Sequence, residues 1–408
     1  MYKIAMILNA HYPDDIRVRK EANALIASGF EIMLICYRRE GEKEKEMVGG
    51  IDVRRVIEVN NKVTKTFYDS WIAMTKNHLF FTRILKGIVK DNAIGVFHVH
   101  DLPMANTVYK VANKFKIPLV LDLHENYPAM VDFNRQFQTR WIQKINFNLF
   151  YRYQPWFKYE RKMVDRADIV LTVVEEMKHR LMEMHRLEDK KIVIVGNEEE
   201  KSFLDSNASE VAIAKRMLPE RFFNVLYIGG LGPHRGLDTA IKGIDLLKES
   251  FPEIHLHIVG GGNYSQTLVD MVQGMRLTDY VTIHGKVPFR LVAPLMKAAD
   301  LNIVPHNSTE HTEHTIPHKL YQIMMMNTPL LVSSCAPLKR VITENNCGYI
   351  FEADNPADFA KQVTHIYQHQ EEALKMAARA MQKTLYGDLN WESRSQPLVE
   401  LYTEMLKK

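Results

Sequence analysis

The 408-residue sequence predicts two α/β domains, each a doubly wound parallel sheet, followed by a helical tail. Three observations carry that expectation. The chain is longer than one hydrophobic core ordinarily serves. Short apolar runs alternate with helical patterns along nearly its whole length, as crossover-connected parallel strands require. One polar stretch, from Gly196-Asn197-Glu198-Glu199-Glu200 to Ser209, interrupts the series near the middle and reads as a linker.

In the first half the candidate strands are 3–8, 31–37, 53–56, 95–99, 119–122, 169–173 and 191–195. A helix between the first two places Ile16, Ala22, Leu25 and Ile26 at helical spacing and stops at Ser28-Gly29. The second series is 224–228, 255–259, 280–284, 301–304, 330–333 and 348–351, with helices at 237–248 and 265–275 between strands. From Pro356 the chain is helical, with a break near Tyr386-Gly387. The domains expected are 1–200 and 201–385, with 386–408 as the segment that packs back on the first. Open sheets of this kind bind ligands beyond the carboxyl ends of their strands, so two facing domains make a cleft and functional residues belong just after strands.

Composition narrows the class. Apolar residues make up 46% and charged residues 25%, as in folded globular proteins. A net charge of +4 does not imply a nucleic-acid partner. No apolar run approaches the roughly 18 residues of a membrane span, and Ile4–Leu8 is too short for a secretory core. Cys36, Cys335 and Cys347 form no CxxC and suit a reducing, cytoplasmic setting. No His/Cys/Asp cluster has ligand spacing, so no metal is expected.

The most informative run is Gly229-Gly230-Leu231-Gly232-Pro233-His234-Arg235-Gly236, after a buried strand and before the helical face Leu237, Ile241 and Ile244. Glycines let backbone approach an anion, the following helix start offers free N–H groups, and Arg235 adds a fork suited to phosphate. Gly260-Gly261-Gly262 ends the next strand, and Gly285-Lys286-Val287-Pro288, where backbone can hold a base edge, ends the one after. Ala299-Asp300 and Pro317-His318-Lys319-Leu320-Tyr321-Gln322 follow. Pro317 fits a first helical turn, and Lys319 lies within reach of the same phosphate.

These loops, in this order, resemble the retaining glycosyltransferase family 4, whose members have the GT-B fold. In the first half Asp15-Ile16-Arg17-Val18, His98-Val99-His100-Asp101-Leu102-Pro103 and Leu121-Asp122-Leu123-His124-Glu125 are similar to a subgroup in which these motifs recur together. The resemblance implies a metal-independent transferase that takes a UDP- or GDP-linked sugar as co-substrate, needs no other cofactor, and passes the sugar to a glycan or lipid-linked acceptor in surface polysaccharide or glycoconjugate biosynthesis. It implies Arg235 at the diphosphate and His100 beside the transferred sugar, and Lys319 is the candidate for a second charge at the diphosphate. Gly229, Gly230, Gly232, Gly236, Gly261, Lys286, Val287, His314, Pro317 and Gln322 then form the donor side. Asp15, Arg17, Asp101, His124 and Glu125 form the acceptor side. His98 is expected on the opposite face of its strand from His100, and Asp101 as a helix cap.

Three positions depart from the family pattern. A cation common near the first glycines is Gly230 here, and two glutamates eight apart are replaced by His314 and Gln322. Glu310 and Glu313 stand near enough to substitute for the first of them. These departures motivate a second class of reading, a catalytically weak nucleotide-binding partner subunit; an epimerase or phosphorylase on the same fold is a third.

Residues 135–166 hold Arg135, Arg140, Lys144, Arg152, Lys158, Arg161, Lys162 and Arg166 against Glu160 and Asp165, interleaved with aromatics from Trp141 to Tyr159. Such a segment suits the anionic inner face of a membrane, or else a basic face on packed helices. Residues 62–90, with Phe67, Trp71, Phe80 and Phe81, repeat the pattern more weakly.

Overall fold

A computed structural model describes residues 3–137 and 141–406. The chain forms two compact units. The first runs to Gly196 and takes in the chain from Ser395 onward; the second is Asn197–Arg394.

The first unit is built on an eight-stranded sheet: β1 Lys3–His11, β2 Glu31–Arg38, β3 Lys45–Val48, β4 Ile51–Glu58, β5 Ile94–His100, β6 Leu119–Leu123, β7 Ile169–Thr172 and β8 Ile192–Ile194. Their order is β3-β4-β2-β1-β5-β6-β7-β8, and every pairing is parallel except β3 with β4. Ile4 to Leu8 are all buried, because a parallel sheet covered on both faces has no solvent side. β3 has no counterpart among the expected strands. Its Lys-Glu-Met-Val sequence carries no apolar stripe; the turn Gly49-Gly50, with both φ positive, folds it onto β4.

The second unit has six parallel strands, β9 Phe223–Ile228, β10 Ile254–Val259, β11 Val281–Gly285, β12 Leu301–Val304, β13 Leu330–Ser333 and β14 Tyr349–Phe351. They are ordered β11-β10-β9-β12-β13-β14. Helix Leu237–Leu247 packs on helix Pro356–Gln368 through Gly243, where a side chain would collide with the Phe359 ring. The helical tail breaks at Tyr386-Gly387, both of whose N–H groups donate to the Gln382 carbonyl. Its last helix, Gln396–Leu406, belongs to the first unit and buries Leu398 and Tyr402 there.

Each sheet reverses its winding once, at β1/β5 and at β9/β12, and ligands of doubly wound sheets bind at such switch points. The polar run after Gly196 divides: residues 205–209 are exposed, as a linker would be, but its first residues are not. Asn197, Glu198 and Glu199 are buried in the second unit, because their side chains find partners there. The basic segment is also partly interior: Trp156 and Tyr159 are core residues, whereas Trp141, Ile145 and Leu149 are exposed. Arg140 lies outside the described residues.

Candidate functional site

At the β9/β12 switch point, three loops lock together through backbone. The Gly229 N–H donates to the Val259 carbonyl (2.9 Å) and the Gly260 N–H to that of Gly285 (2.8 Å). A side chain on Gly260 would overlap the Gly229 carbonyl, one on Gly262 the Leu231 carbonyl, and one on Gly236 the Pro305 carbonyl. Gly229, Gly236 and Gly260 also have φ of 143°, 67° and 148°, a region L side chains rarely enter. Gly230 faces open space, Gly232 lies against the His234 ring, and the Lys286 stem lies over Gly261, with Val287 partly exposed beyond it.

Two cations meet this loop. Lys319, from helix His318–Met324, places Nζ 3.6 Å from the Tyr227 ring centroid, against Gly229. The ammonium is buried and makes no hydrogen bond among the described residues. Burial, with repulsion from Arg235, pushes its pKa well below the usual lysine value. Arg235 is half-buried, its Nη1 3.0 Å from Nε2 of His306. Burial and the neighbouring cations hold His306 neutral, so this nitrogen accepts. Pro317 is the residue before the helix rather than in its first turn.

Gln322 is buried and donates from Nε2 to Oε2 of Glu199 (2.7 Å), while Asn197 Nδ2 donates to the Ile316 carbonyl (2.7 Å). His314 donates from Nδ1 to the Glu310 carbonyl (2.7 Å). Glu313 accepts from the Ala336 N–H and the Ser308 hydroxyl, each at 2.7 Å, and so ties two loops together.

In the first unit, His100 ends β5, and His98 stands beside it on the same face, contrary to expectation. Residues two apart on a strand share a face, and the two rings stack with centroids 4.3 Å apart. Asp122, opposite His100 on β6, gathers three imidazoles: His124 Nε2 at 2.5 Å, His100 Nδ1 at 3.0 Å and His98 Nε2 at 3.4 Å from Oδ2. Tyr402 closes the chain with a 2.8 Å hydrogen bond to His98 Nδ1. Burial lowers His98 to about 4 and lowers His100 as well. Burial alone would raise Asp122, but His124, His100 and His98 hold it well below the carboxylate range. Ligand-type atoms of Glu21, His98, His100 and Asp122 lie within 4.8 Å of one another. Linear spacing hid this cluster because a helix and two strands supply it. His100 Nε2 is buried without a hydrogen-bond partner among the described residues.

Beyond the ends of β1 and β5 opens a cavity of about 450 Å³ whose lining includes Asp15, Arg17, Asp101 and Glu125; His124 sits behind it on Asp122. Asp15 both caps helix Ile16–Ala27, accepting from the Arg17 N–H (3.1 Å), and grips the Arg17 guanidinium at 2.9 and 3.2 Å. Asp101 makes no side-chain cap, unlike the expectation. Its φ of 65° with ψ of 152° turns the chain away from cap geometry, and burial raises its pKa. Sequence reading missed Tyr227, His306, Glu199, Asp122 and the lining pair Lys65 and Asp69. Two signals were present: Asp122 stands in the motif Leu121–Glu125, where only its neighbours were assigned a role, and Glu199 stands in the Glu198-Glu199-Glu200 run, which resembled a linker.

Residues 16–197 match the family model described as Glycosyltransferase Family 4, and residues 209–383 that described as Glycosyl transferases group 1. The chain therefore belongs to the family 4 type of glycosyltransferase, on the GT-B fold. Among relatives, it is 23% identical over 195 residues to D-inositol 3-phosphate glycosyltransferase of Thermomonospora curvata, covering 46% of this chain and 44% of that protein. Sucrose-phosphate synthase from Thermosynechococcus elongatus superposes with a TM-score of 0.80 at 16% identity, over 100% of both chains. Anabaena HepE in complex with UDP and glucose gives 0.75 at 12%, over 99% of this chain and 100% of that one.

Proposed function

We propose that the protein is a retaining, metal-independent glycosyltransferase that moves a sugar from a UDP- or GDP-linked donor to a glycan or lipid-linked acceptor in surface polysaccharide assembly. The observation that carries this reading is the pair Lys319 and Arg235 around the glycine loop at the β9/β12 switch point. A protein of the same fold solved with UDP supports it. In the step proposed, the bond from the anomeric carbon to the diphosphate oxygen breaks and its electron pair leaves with phosphate. The acceptor hydroxyl bonds to that carbon from the same face and gives its proton to the departing oxygen. Arg235, Lys319 and the loop N–H groups stabilise the growing charge, Gln322 faces the ribose, and His100 Nε2 the transferred sugar. Arg235→Ala should lower turnover from a nucleotide sugar by about 100- to 1,000-fold. Turnover equal to the unaltered protein's rejects this assignment.

The exposed stripe Trp141, Ile145 and Leu149, with Phe67 and Met74 of helix Lys62–Thr75, supports a place at the inner membrane face. Flotation with anionic vesicles tests it, and Ile145→Glu should release the protein. One observation favours the partner-subunit reading: Gln322 commits one of its two amide N–H donors to Glu199, which leaves it fewer for a ribose. Calorimetry with UDP and GDP followed by transfer assays separates the two, since binding without turnover selects the partner subunit.

A further inference from the structure

The cavity beside Asp101 carries more information than its position. Its volume falls within the usual 300–1,000 Å³ range of small-molecule sites. Tyr127 and Phe147, both partly exposed, give it an apolar side suited to the C–H face of a sugar ring. Its polar lining is unbalanced: four carboxylates, Asp15, Asp69, Asp101 and Glu125, against Arg17 and Lys65. Both cations are already paired within the lining, Arg17 with Asp15 at 2.9 Å and Lys65 with Asp69 at 2.6 Å. Asp101 is held at a φ of 65° that non-glycine residues rarely adopt, and such strain persists only where surrounding structure enforces it.

Carboxylates accept strongly from hydroxyl and ammonium donors, whereas an anionic group here would meet like charge and no unpaired cation. We propose that this cavity seats the acceptor ring, that the ring is a neutral or amino sugar, and that phosphorylated and uronic acid sugars are rejected. The proposal rests on the glycosyltransferase reading for the word acceptor; the charge selection stands on the lining alone.

The test is ligand-observed NMR on the full chain with methyl hexoside, methyl 2-amino-hexoside, methyl hexuronide and hexose 6-phosphate, with UDP and GDP titrated in parallel. The first two should bind and the last two should bind at least about tenfold more weakly. Asp101→Asn should weaken the amino sugar by about tenfold. Asp69→Asn, which frees Lys65, should strengthen hexose 6-phosphate, and matched thermal unfolding of both variants checks that they fold. Equal or tighter binding of the anionic sugars, or no glycoside binding at all, overturns the proposal. Glycosides sorting as expected while no nucleotide binds supports the cavity and sinks the donor reading alone.

Discussion

Lys319 shows how one buried charge acquires a function from its surroundings. Its ammonium has a ring face, a glycine and another cation for company, and no carboxylate pairs with it among the described residues. The free site therefore holds its proton less tightly than an ordinary lysine, and a bound diphosphate restores that hold. The sign follows: between the lowered and the restored pKa, anion binding takes up a proton, so affinity falls as pH rises through the lowered value. Calorimetry of UDP or GDP in buffers of different ionisation heat should show this uptake, and Lys319→Met should abolish it. Uptake unchanged in Lys319→Met would assign the proton elsewhere.

At the scale of elements, the donor loop is a backbone construction, and glycine positions within it are not equivalent. Gly236→Ala would drive a side chain into the Pro305 carbonyl at a φ of 67°, so a loss of about 1–3 kcal/mol of stability is expected, with nucleotide binding weakened alongside. Gly230 has no atom within 4 Å of a would-be side chain, and Gly230→Arg should leave stability within about 0.5 kcal/mol. The same arginine should tighten diphosphate binding by supplying the cation the family pattern carries there. Urea unfolding and nucleotide titration of the two variants check both statements. The elements themselves were largely legible in the sequence: apolar runs bounded by glycine mark both sheets apart from β3, whose polar edge lacks periodicity. The candidate site was legible wherever a glycine loop or strand end announced it. It was hidden wherever partners came from distant segments, as with Glu199 on Gln322 and Asp122 under three histidines. His98 was misplaced by a parity error, not by any ambiguity of the strand.

Across the whole molecule, histidines are buried in the uncharged state in both units. Burial lowers His98 and His78 to about 4 and His257 to about 3. An unfolded chain protonates these rings near 6.5, so below that value it binds more protons than the folded one, and stability falls with pH until the folded values are reached. Each ring should cost on the order of 1–2 kcal/mol by pH 5. Urea unfolding at pH 7 and pH 5 reads the sum. Asp122 acts in the same direction at lower pH, since its depressed pKa contributes stability above the carboxylate range that is lost only in stronger acid. A flat profile from pH 7 to 5 would show that these rings are hydrated in the native state.

Helix Gln396–Leu406 carries Tyr402 into the first unit, where it hydrogen-bonds His98 beneath the candidate site. During synthesis that unit emerges from the ribosome about two hundred residues before its own last helix. The nascent domain must wait, its histidine cluster uncapped and an apolar seam open, while the second unit is translated and folds. A fragment ending at Gly196 should therefore be chaperone-dependent or aggregate, and adding a peptide of 395–408 in trans should recover soluble protein. A fragment that folds unaided would make the helix a late ornament of the domain rather than the piece that completes it.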